Sequence, residues 1–541
     1  MGKMTPPSAR SGRVRGRGHR PPMTGQLHGL PLDRAPGAPP LYAQIRDGVR
    51  SAVLTGALAS GMRLPPEREL AASLGVNRTT TMRAYHELAA DGVVEARPGR
   101  GTVVRPSQAA APARVADGHG APRSAAWLLG LRAVGQGLGP DPGLLRAIMA
   151  LGARADVISF AGGIPAGEAI PLDDVRAALA AVLAQAGADG LAYGPVEGLG
   201  SLRSAIAARM ARRGAAIAAD EVLVLAGATQ GLALAAQALV EPGDEVVVEA
   251  PTYVGIAQTF GAAGARLIGV PVDEEGLRVD MLAHVLARRR VRLIVVQPTL
   301  HNPTGATMSL GRRERLVALA RRQGVPILED APYAELWADG PEPPPLVALD
   351  RDGLALHLGS FSKTLAPGLR VGWLTGPPPV ITRLALAKQF TDLTTGLLAQ
   401  GAVDHLLESG AYDRHLAHVR ALYETRRAAL VVGLRGAEAF LEVSPAAGGG
   451  FYLWCRLRRG RARLLAVEAS KVGVALLPGE AFYPSPTVGG EDGGDRIRLS
   501  VAGVGPAAIA EGLGRLLPLL ETLPEIGRPA EGRGEGLQPV V

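Results

Sequence analysis

The stretch GSFSKTLAPGLRVGW at residues 359–373 is the most informative part of this sequence about fold and chemistry, because it places a lysine among small and hydroxylated residues. The chain has only four lysines and otherwise uses arginine for its strongly basic positions. A lysine can lose its proton and form an imine with a carbonyl compound, whereas an arginine stays protonated. Lys363 is therefore a candidate for holding a carbonyl cofactor covalently.

Pyridoxal phosphate is the usual cofactor of this kind, and it needs further groups that the chain supplies. A carboxylate must keep the pyridine nitrogen protonated. Asp330 ends the apolar run in ILEDAPY, where a buried parallel strand would bring it to the C-terminal edge of a sheet. Asn302 in HNPTG and Tyr333 in DAPY can hold the phenolic oxygen, and Tyr253 in APTYVG can stack on the ring. We therefore predict Lys363, Asp330 and Tyr253 as the catalytic residues.

The phosphate of such a cofactor needs backbone amides at the start of a helix, together with hydroxyls and a cation. AGATQG at 226–231 follows the apolar run EVLVL and opens a helical pattern. The predicted phosphate ligands are the amides of Ala228, Thr229 and Gln230, and the side chains of Ser360, Ser362 and Arg370.

Each of these features is weak when it stands alone, since a lone aspartate after a strand is more often a cap and NPTG is more often a turn. Their order along the chain, from the glycine-rich corner through NPTG and DxPY to SxSK and the following arginine, resembles the fold-type I aminotransferases over residues 155–505. SFSKTLAPGLRVGW is most similar to the aminoadipate/kynurenine-type branch and to regulators built from it.

The resemblance implies a role for each matching position. Lys363 and Asp330 resemble the Schiff-base lysine and the partner of the pyridine nitrogen. Arg498 in DRIRLSVAG resembles the arginine that binds the substrate α-carboxylate, with Asn302 beside it. The loop with Gly162 and Gly163 in FAGGIP resembles the segment that covers the substrate. Tyr193 in LAYGPVEG resembles a tyrosine that reaches the cofactor phosphate of the partner subunit, which implies a homodimer.

Apolar strand-like runs alternate with helical patterns from about residue 125 to 520, and this alternation indicates an α/β domain with a largely parallel sheet. The expected fold is a large domain with a mostly parallel sheet and a smaller α+β C-terminal domain, together at residues 126–521. Cys455 is expected to be a small buried core residue, which leaves no internal disulfide.

Residues 64–104 predict two helices, a turn and a β-hairpin. Leu70, Ala71 and Leu74 form one face of a first helix starting near Glu67, and SLGVN is a tight turn. A second helix begins near Arg78. Its inward positions are predicted to be Met82, Tyr85 and Ala89. Arginines then face outward at its start, where a recognition helix contacts bases and phosphates.

This segment resembles the winged helix-turn-helix of the GntR family of bacterial regulators over about 65 residues. One departure is Asn77, where the family usually has serine before the recognition helix. The resemblance predicts a double-stranded DNA operator as partner. The predicted DNA-contacting residues are Arg68, Arg78, Thr79, Thr80, Arg83, Arg97, Arg100 and Gly101.

The charge distribution separates this module from the rest of the chain. Residues 1–40 and 41–106 carry formal charges of +6 and +3, whereas the whole chain carries +8. The excess of positive charge therefore lies where a polyanion would bind. The predicted organisation is a disordered basic tail at 1–38, the DNA-binding domain at 39–106, a linker at 107–125, the large domain, and a disordered tail at 522–541.

A GntR-like module joined to an aminotransferase-like domain resembles the MocR group of regulators, which implies sensing of an amino compound or of pyridoxal phosphate by imine exchange at Lys363. The alternative is a working aminotransferase that carries a DNA-binding module, because its catalytic set has no obvious gap. A scaffold protein of this fold does not explain why the reactive residues coexist. No signal peptide or spanning segment is indicated, and a single cysteine fits a reducing compartment, so we expect a cytoplasmic protein. We expect no metal site.

Overall fold

The computed structural model describes residues 30, 32–34, 39–54, 58, 62–90, 93–97, 101–104, 142–444, 448–484 and 487–523. The chain divides into two compact units, residues 1–133 and 134–541. The predicted linker lies outside the described residues, as do most of both predicted tails. No helix in these ranges is long and apolar enough to cross a membrane.

The first unit contains the two predicted helices and the predicted hairpin, preceded by a helix at residues 41–54 that the sequence analysis did not predict. They are α1 (Leu41–Leu54), α2 (Glu67–Leu74), α3 (Arg78–Ala90), β1 (Val94–Arg97) and β2 (Gly101–Val104). Helix α2 buries Leu70, Ala71 and Leu74 and ends at Gly75, whose φ of +61° is in the left-handed region that glycine adopts without strain. The two strands pair antiparallel, which confirms the predicted wing.

The inward face of α3 differs from the prediction at two of three positions. Tyr85 is buried as expected, but Met82 is 46% exposed and Ala89 is exposed. The buried residues follow the i, i+3, i+4, i+7 spacing of an amphipathic helix. This face is rotated from the one that the sequence pattern predicted. It consists of Thr81, Ala84, Tyr85 and Leu88.

A short segment before α1 also packs against this unit. Leu30 and Leu32 contact its hydrophobic core. Arg34 donates from Nη2 to the carbonyl oxygens of Leu74 and Gly75, at 3.1 and 2.9 Å, and so binds the carbonyl end of α2. Contacts with the first unit therefore begin before the predicted boundary at residue 39.

The second unit is built on an eight-stranded sheet whose strands are short apolar runs. Its strands are β4 (Val222–Leu225), β5 (Glu245–Ala250), β6 (Arg266–Asp273), β7 (Gly276–Leu277), β8 (Val291–Val296), β9 (Ile327–Asp330), β10 (Ala355–Ser360) and β11 (Gly372–Thr375). The spatial order is β4-β11-β10-β9-β8-β5-β6-β7. The central pairs β10/β9, β9/β8, β8/β5 and β5/β6 are parallel, whereas β11 is antiparallel to both of its neighbours.

Helices accompany this sheet, as the near-continuous burial of its strands requires. Those of the second unit are α4 (Pro142–Gly152), α5 (Leu172–Ala186), α6 (Gly200–Arg212), α7 (Ala228–Leu239), α8 (Val254–Ala262), α9 (Val279–Leu286), α10 (Leu310–Gln323), α11 (Leu346–Leu349), α12 (Pro378–Gln389), α13 (Leu397–Glu408), α14 (Ala411–Gly433), α15 (Ala462–Lys471) and α16 (Pro506–Thr522).

A smaller α+β part follows at the C-terminal end, which confirms the predicted fold class. Its strands are β12 (Leu441–Val443), β13 (Tyr452–Leu457), β15 (Leu477–Pro478) and β16 (Arg496–Ser500), in the antiparallel order β12-β13-β16-β15. A separate parallel pair joins β3 (Ile158–Ser159) to β14 (Val474–Ala475). Cys455 is buried in the core of this part, as expected.

The parallel strands bring distant segments of the chain to one edge of the large sheet. Asp330 and Ser360 are the last residues of β9 and β10, and Ala228 opens the helix that follows β4. Because parallel strands end at the same edge, these residues converge where open α/β sheets bind ligands.

Candidate functional site

A cavity of about 300 Å³ lies at this edge, within the size range of small-molecule sites. Most of the predicted site residues line it together. They are Gly163, Ala228, Thr229, Tyr253, Asn302, Asp330, Tyr333, Ser360, Ser362, Lys363, Arg370 and Arg498.

Lys363 reaches into the cavity and donates a hydrogen bond from Nζ to the carbonyl oxygen of Gly163, at 2.8 Å. Burial, together with the like charges of Arg498 and Arg370, lowers the pKa of Lys363 to about 8, and the charge of Asp330 opposes this shift. The neutral fraction of this amine near physiological pH is therefore much larger than that of an ordinary lysine, and the neutral form is the one that attacks a carbonyl carbon.

Asp330 is held at the floor of the cavity and is 2% exposed. Its Oδ2 accepts a hydrogen bond from Nε2 of Gln297 at 2.7 Å, while its buried Oδ1 has no hydrogen-bond partner. Burial, helped by the carboxylates of Glu249 and Glu329 and opposed by the hydrogen bond from Gln297, raises the pKa of Asp330 to about 7. A protonated ring nitrogen could donate a hydrogen bond to this buried Oδ1, which otherwise has no donor.

A second buried group supports the amide that holds Asp330. Glu249 is fully buried, and its Oε2 accepts a hydrogen bond from the backbone N–H of Gln297 at 2.8 Å. The same oxygen lies 3.2 Å from Nε2 of His301, whose Nδ1 lies 2.8 Å from the hydroxyl of Thr304. These contacts fix the segment that connects β8 to Asn302.

The start of α7 forms the opposite end of the cavity. Ala228 and Thr229 occupy the first turn, where backbone N–H groups lack intrahelical partners and attract anions. Arg370 donates to the carbonyl of Ala226 at 3.0 Å and to Oγ of Ser362 at 3.4 Å. A Cβ on Gly227 would lie only 2.6 Å from Nη2 of Arg370, so a side chain there would collide with the arginine. This end has the amides, hydroxyl and cation that a phosphate requires.

Arg498 lies on β16 and is 5% exposed. It donates from Nη1 to Oδ1 of Asn302 at 2.7 Å and from Nη2 to the carbonyl of Ala161 at 2.5 Å. Its guanidinium carbon lies 4.3 Å from the ring centre of Tyr452 and 4.9 Å from that of Phe482. A planar guanidinium fixed in this way is suited to binding a carboxylate with two hydrogen bonds.

Tyr333 and Tyr452 lie together beside Arg498, with 2.8 Å between their hydroxyl oxygens. Burial raises the pKa of Tyr333 far above its usual value of 10, so this hydroxyl keeps its proton and can donate it in a hydrogen bond. Burial also raises the pKa of Tyr253. A Cβ on Gly163 would lie 2.1 Å from the Tyr452 hydroxyl, so only glycine fits at that position.

Two predicted cofactor ligands do not line the cavity of this chain. The backbone N–H of Gln230 donates to the carbonyl of Gly227 at 3.1 Å, and its side-chain oxygen accepts from the N–H of Ala226 at 2.7 Å. Gln230 therefore shapes the corner before α7, and the prediction of its amide as a phosphate ligand is not supported by this geometry. Tyr193 is 79% exposed. Its predicted reach across a dimer stays a prediction.

The sequence interpretation missed Gln297 and Tyr452. Gln297 directly follows β8, so its position at the end of an apolar run was a usable signal of the same kind that identified Asp330. Tyr452 stands in GGGFYLW and offered no such signal, because its neighbours come from the pairing of β13 with β16.

In the first unit, the predicted recognition helix presents its polar start to solvent. Arg78 and Thr79 are exposed and Thr80 is half-buried. The side-chain oxygen of Asn77 accepts a hydrogen bond from the N–H of Thr79 at 3.1 Å, so the asparagine caps the helix in place of the usual serine. Arg68 on α2 is also exposed.

The remaining predicted DNA contacts have different surroundings. The Arg83 guanidinium lies 3.7 Å from the ring centre of Tyr42 and 3.4 Å from Glu87, so it also holds α3 against α1. Gly101 is exposed in the wing with a φ of +76°, and a Cβ there would meet Nε of Arg63 at 2.9 Å. Arg63 is thus a basic wing neighbour that the sequence interpretation missed. Arg97 ends β1, and Arg100 lies outside the described residues.

Comparisons with known proteins match both units. Residues 155–516 match the family of class I and II aminotransferases, and residues 41–104 match the gntR family of bacterial regulatory proteins. Aromatic-amino-acid aminotransferase 1 of Thermococcus litoralis is 35% identical over 70% of this chain and 91% of its own length. The probable rhizopine catabolism regulatory protein MocR of Rhizobium meliloti is 30% identical over 90% of this chain and 95% of its own. The kynurenine aminotransferase of Pyrococcus horikoshii, crystallised with PMP, has a TM-score of 0.66 and 33% identity over 70% of this chain and 94% of its own.

Proposed function

Since the chain belongs to the MocR-type regulators of the GntR family, in which a DNA-binding domain is fused to a class I and II aminotransferase domain, we propose that its large unit is a sensor. It binds an amino compound at Lys363 through pyridoxal phosphate, and this binding changes the affinity of the first unit for an operator. The observation that carries the proposal is the presence, in one chain, of a winged helix-turn-helix and a cavity with Lys363 and an unpartnered carboxylate oxygen of Asp330.

The residues of the cavity fit pyridoxal phosphate at each of its ends. Oδ1 of Asp330 is free to accept from a protonated ring nitrogen. The start of α7 with Arg370 supplies donors for a phosphate. When bound, the cofactor supplies an electron-withdrawing ring and a carbonyl carbon for amines.

The chain's own residues then handle the amine and its carboxylate. With pyridoxal phosphate bound, Lys363 would hold it covalently, and its Nζ, when free, could accept the α-proton of the amine, because burial lowers its pKa towards the physiological range. Arg498 orients the α-carboxylate, since Asn302 and Ala161 fix its plane. Tyr333 would donate to the phenolic oxygen of the cofactor, and Tyr253 would cover its ring, since both line the cavity.

Two properties complete the proposal. The exposed Tyr193 would contribute to the phosphate site of a partner subunit, which makes the regulator a homodimer that binds paired half-sites. A DNA-binding regulator of this kind acts in the cytoplasm.

A working aminotransferase is the second candidate, and the convergence of Lys363, Asp330 and Arg498 on one cavity favours it. Absorbance of the protein with bound pyridoxal phosphate, titrated with amino acids and then with a 2-oxo acid, distinguishes the two. A sensor stops at a reversible spectral shift. An enzyme converts the cofactor to the pyridoxamine form and regains the starting form with multiple turnovers once the 2-oxo acid is added.

Arg78→Ala is expected to weaken binding to the operator by about 5- to 150-fold, because one contact to a base or phosphate is worth about 1–3 kcal/mol. Operator affinity is measured by fluorescence anisotropy on DNA selected by the full-length protein. Arg321→Ala on α10 is the matched control, since it removes an exposed arginine of the other unit. Both variants should retain full cofactor content. Unchanged affinity in Arg78→Ala would mean that the recognition surface lies elsewhere.

The rate at which Lys363 captures added pyridoxal phosphate should depend on pH. The neutral amine is the nucleophile, so the rate rises with pH through about 8, where half of Lys363 has lost its proton, and levels off above that pH once nearly all of the amine is neutral. A small-molecule lysine analogue serves as the control, since its rate keeps rising towards its usual pKa near 10.5. A protein rate that follows the analogue through pH 10 would contradict the environment assigned to Lys363.

A further inference from the structure

Tyr452 contacts three residues that take part in the proposed function, on which this inference rests. It is the first residue of β13 and is 3% exposed. Its hydroxyl oxygen lies 2.8 Å from that of Tyr333, and its ring faces the guanidinium of Arg498 at 4.3 Å. A Cβ on Gly163 would collide with the same hydroxyl. Tyr452 therefore stands between the donor proposed for the phenolic oxygen and the arginine proposed for the carboxylate.

The pairing of β13 with β16 fixes the position of this side chain. Trp454 is the direct partner of Arg498 across the pair, and Tyr452 lies two residues before Trp454 on the same strand. Side chains two residues apart on a strand share a face, and an aromatic ring can reach its diagonal neighbour on the next strand. The rings of Tyr452 and Tyr333 also pack edge to face, with their centres 5.5 Å apart and their planes at 80°. Backbone pairing and ring packing thus hold the two hydroxyl groups together.

The direction of the hydrogen bond between these hydroxyl groups follows from their protons. Each tyrosine hydroxyl has one proton to donate and can also accept. Burial raises the pKa of Tyr333 well above 10, so Tyr333 keeps its proton. When Tyr333 donates that proton to the phenolic oxygen, it has none left for the 2.8 Å contact with Tyr452. In that contact Tyr452 must then be the donor and Tyr333 the acceptor.

We infer that Tyr452 is a positioning residue that acts on the cofactor through Tyr333, because its hydroxyl donates to Tyr333 and makes Tyr333 a stronger donor to the phenolic oxygen. Hydrogen bonds in a chain polarise one another, by roughly 10–30% per bond. A stronger donor stabilises negative charge on the phenolic oxygen, which favours the deprotonated form of the lysine-linked cofactor. Tyr452 therefore lowers the pH at which the lysine-linked cofactor loses its proton.

Tyr452→Phe tests this inference, because it removes the hydroxyl and keeps the ring that packs on Arg498 and Tyr333. In the full-length protein with bound pyridoxal phosphate, we expect the pH midpoint of the lysine-linked absorbance to rise by about 0.5 pH unit or more. Tyr423→Phe is the matched control and should leave the midpoint unchanged. Tyr423 is buried against Phe451, and its hydroxyl has no hydrogen-bond partner among the described residues. An unchanged or lowered midpoint in Tyr452→Phe would overturn the inference and leave the proposed function standing, whereas a natural protein without lysine-linked absorbance would overturn both.

A double variant with Tyr333→Phe shows whether the effect passes through Tyr333. Tyr333→Phe alone is expected to raise the midpoint more than Tyr452→Phe does, since it removes the donor itself. Adding Tyr452→Phe to it should cause no further shift, because the hydroxyl of Tyr452 then has no Tyr333 hydroxyl to act through. Two shifts that add would show that Tyr452 affects the cofactor by another route, and would overturn the inference.

Discussion

Lys363→Ala is expected to abolish the lysine-linked absorbance of bound pyridoxal phosphate completely, and with it every spectral response to amino acids. Alanine cannot form an imine, and no other described lysine lines the cavity. The variant should still fold, because burial makes the charge of Lys363 unfavourable rather than stabilising. Absorbance and mass spectrometry after borohydride reduction measure the covalent link directly.

Lys471→Ala is the control for this variant. Lys471 is an exposed lysine on α15 that pairs with Glu468, so its loss should change neither absorbance nor the reduced mass adduct. A lysine-linked chromophore that persists in Lys363→Ala would remove the basis of the cofactor assignment.

Asp330→Asn is expected to weaken pyridoxal phosphate binding by about 100-fold or more, because it removes the anion of a buried charge pair with the ring nitrogen.

Without cofactor, the same substitution is expected to stabilise the protein. The folded-state pKa of Asp330 is about 7 against a usual 3.8. Between these pH values the unfolded chain ionises first, so the free energy of unfolding falls as the pH rises from 3.8 through 7. The variant without cofactor should therefore match or exceed the natural protein in free energy of unfolding at pH 8, by about 4 kcal/mol at most, and the difference should shrink at pH 5.

Gln297→Leu provides the comparison for this change, since it removes the 2.7 Å hydrogen bond to Asp330 but keeps the carboxylate. We expect it to weaken cofactor binding less than Asp330→Asn does. Urea unfolding at the two pH values and fluorescence titration with pyridoxal phosphate give both quantities. An Asp330→Asn variant that binds the cofactor normally would show that this carboxylate does not meet the ring nitrogen.

The sequence predicted the residues that stand at the ends of apolar runs and missed those that depend on tertiary pairing. Asp330 and Ser360 end buried strands, so position in the chain was enough to place them, whereas Arg498 was identified only through the resemblance to the aminotransferases. Tyr452 reaches Tyr333 across 119 residues of sequence, and no local pattern marks such a contact. The contact between Glu249 and His301 also joins residues that are far apart in the sequence, so no local pattern marks it.

Local periodicity also failed where two helical registers were similarly plausible. On α3, Met82 and Ala89 were expected inward, but packing against α1 and α2 buries Thr81 and Ala84 instead. Arg83 shows a related effect, since its contact with the ring of Tyr42 comes from the packing of α1 against α3. An arginine that a sequence pattern places on the outward face of a helix can thus stabilise the fold as well as bind a ligand.

The most direct test of sensing is the operator affinity of the full-length protein with bound pyridoxal phosphate, measured by fluorescence anisotropy while the amino acid that gives the strongest spectral shift is added. We expect the affinity to change over the same concentration range as the absorbance, and the change to be absent in Lys363→Ala. An operator affinity that stays constant while the absorbance shifts, with steady release of a 2-oxo acid, would contradict the sensor and identify the protein as an enzyme.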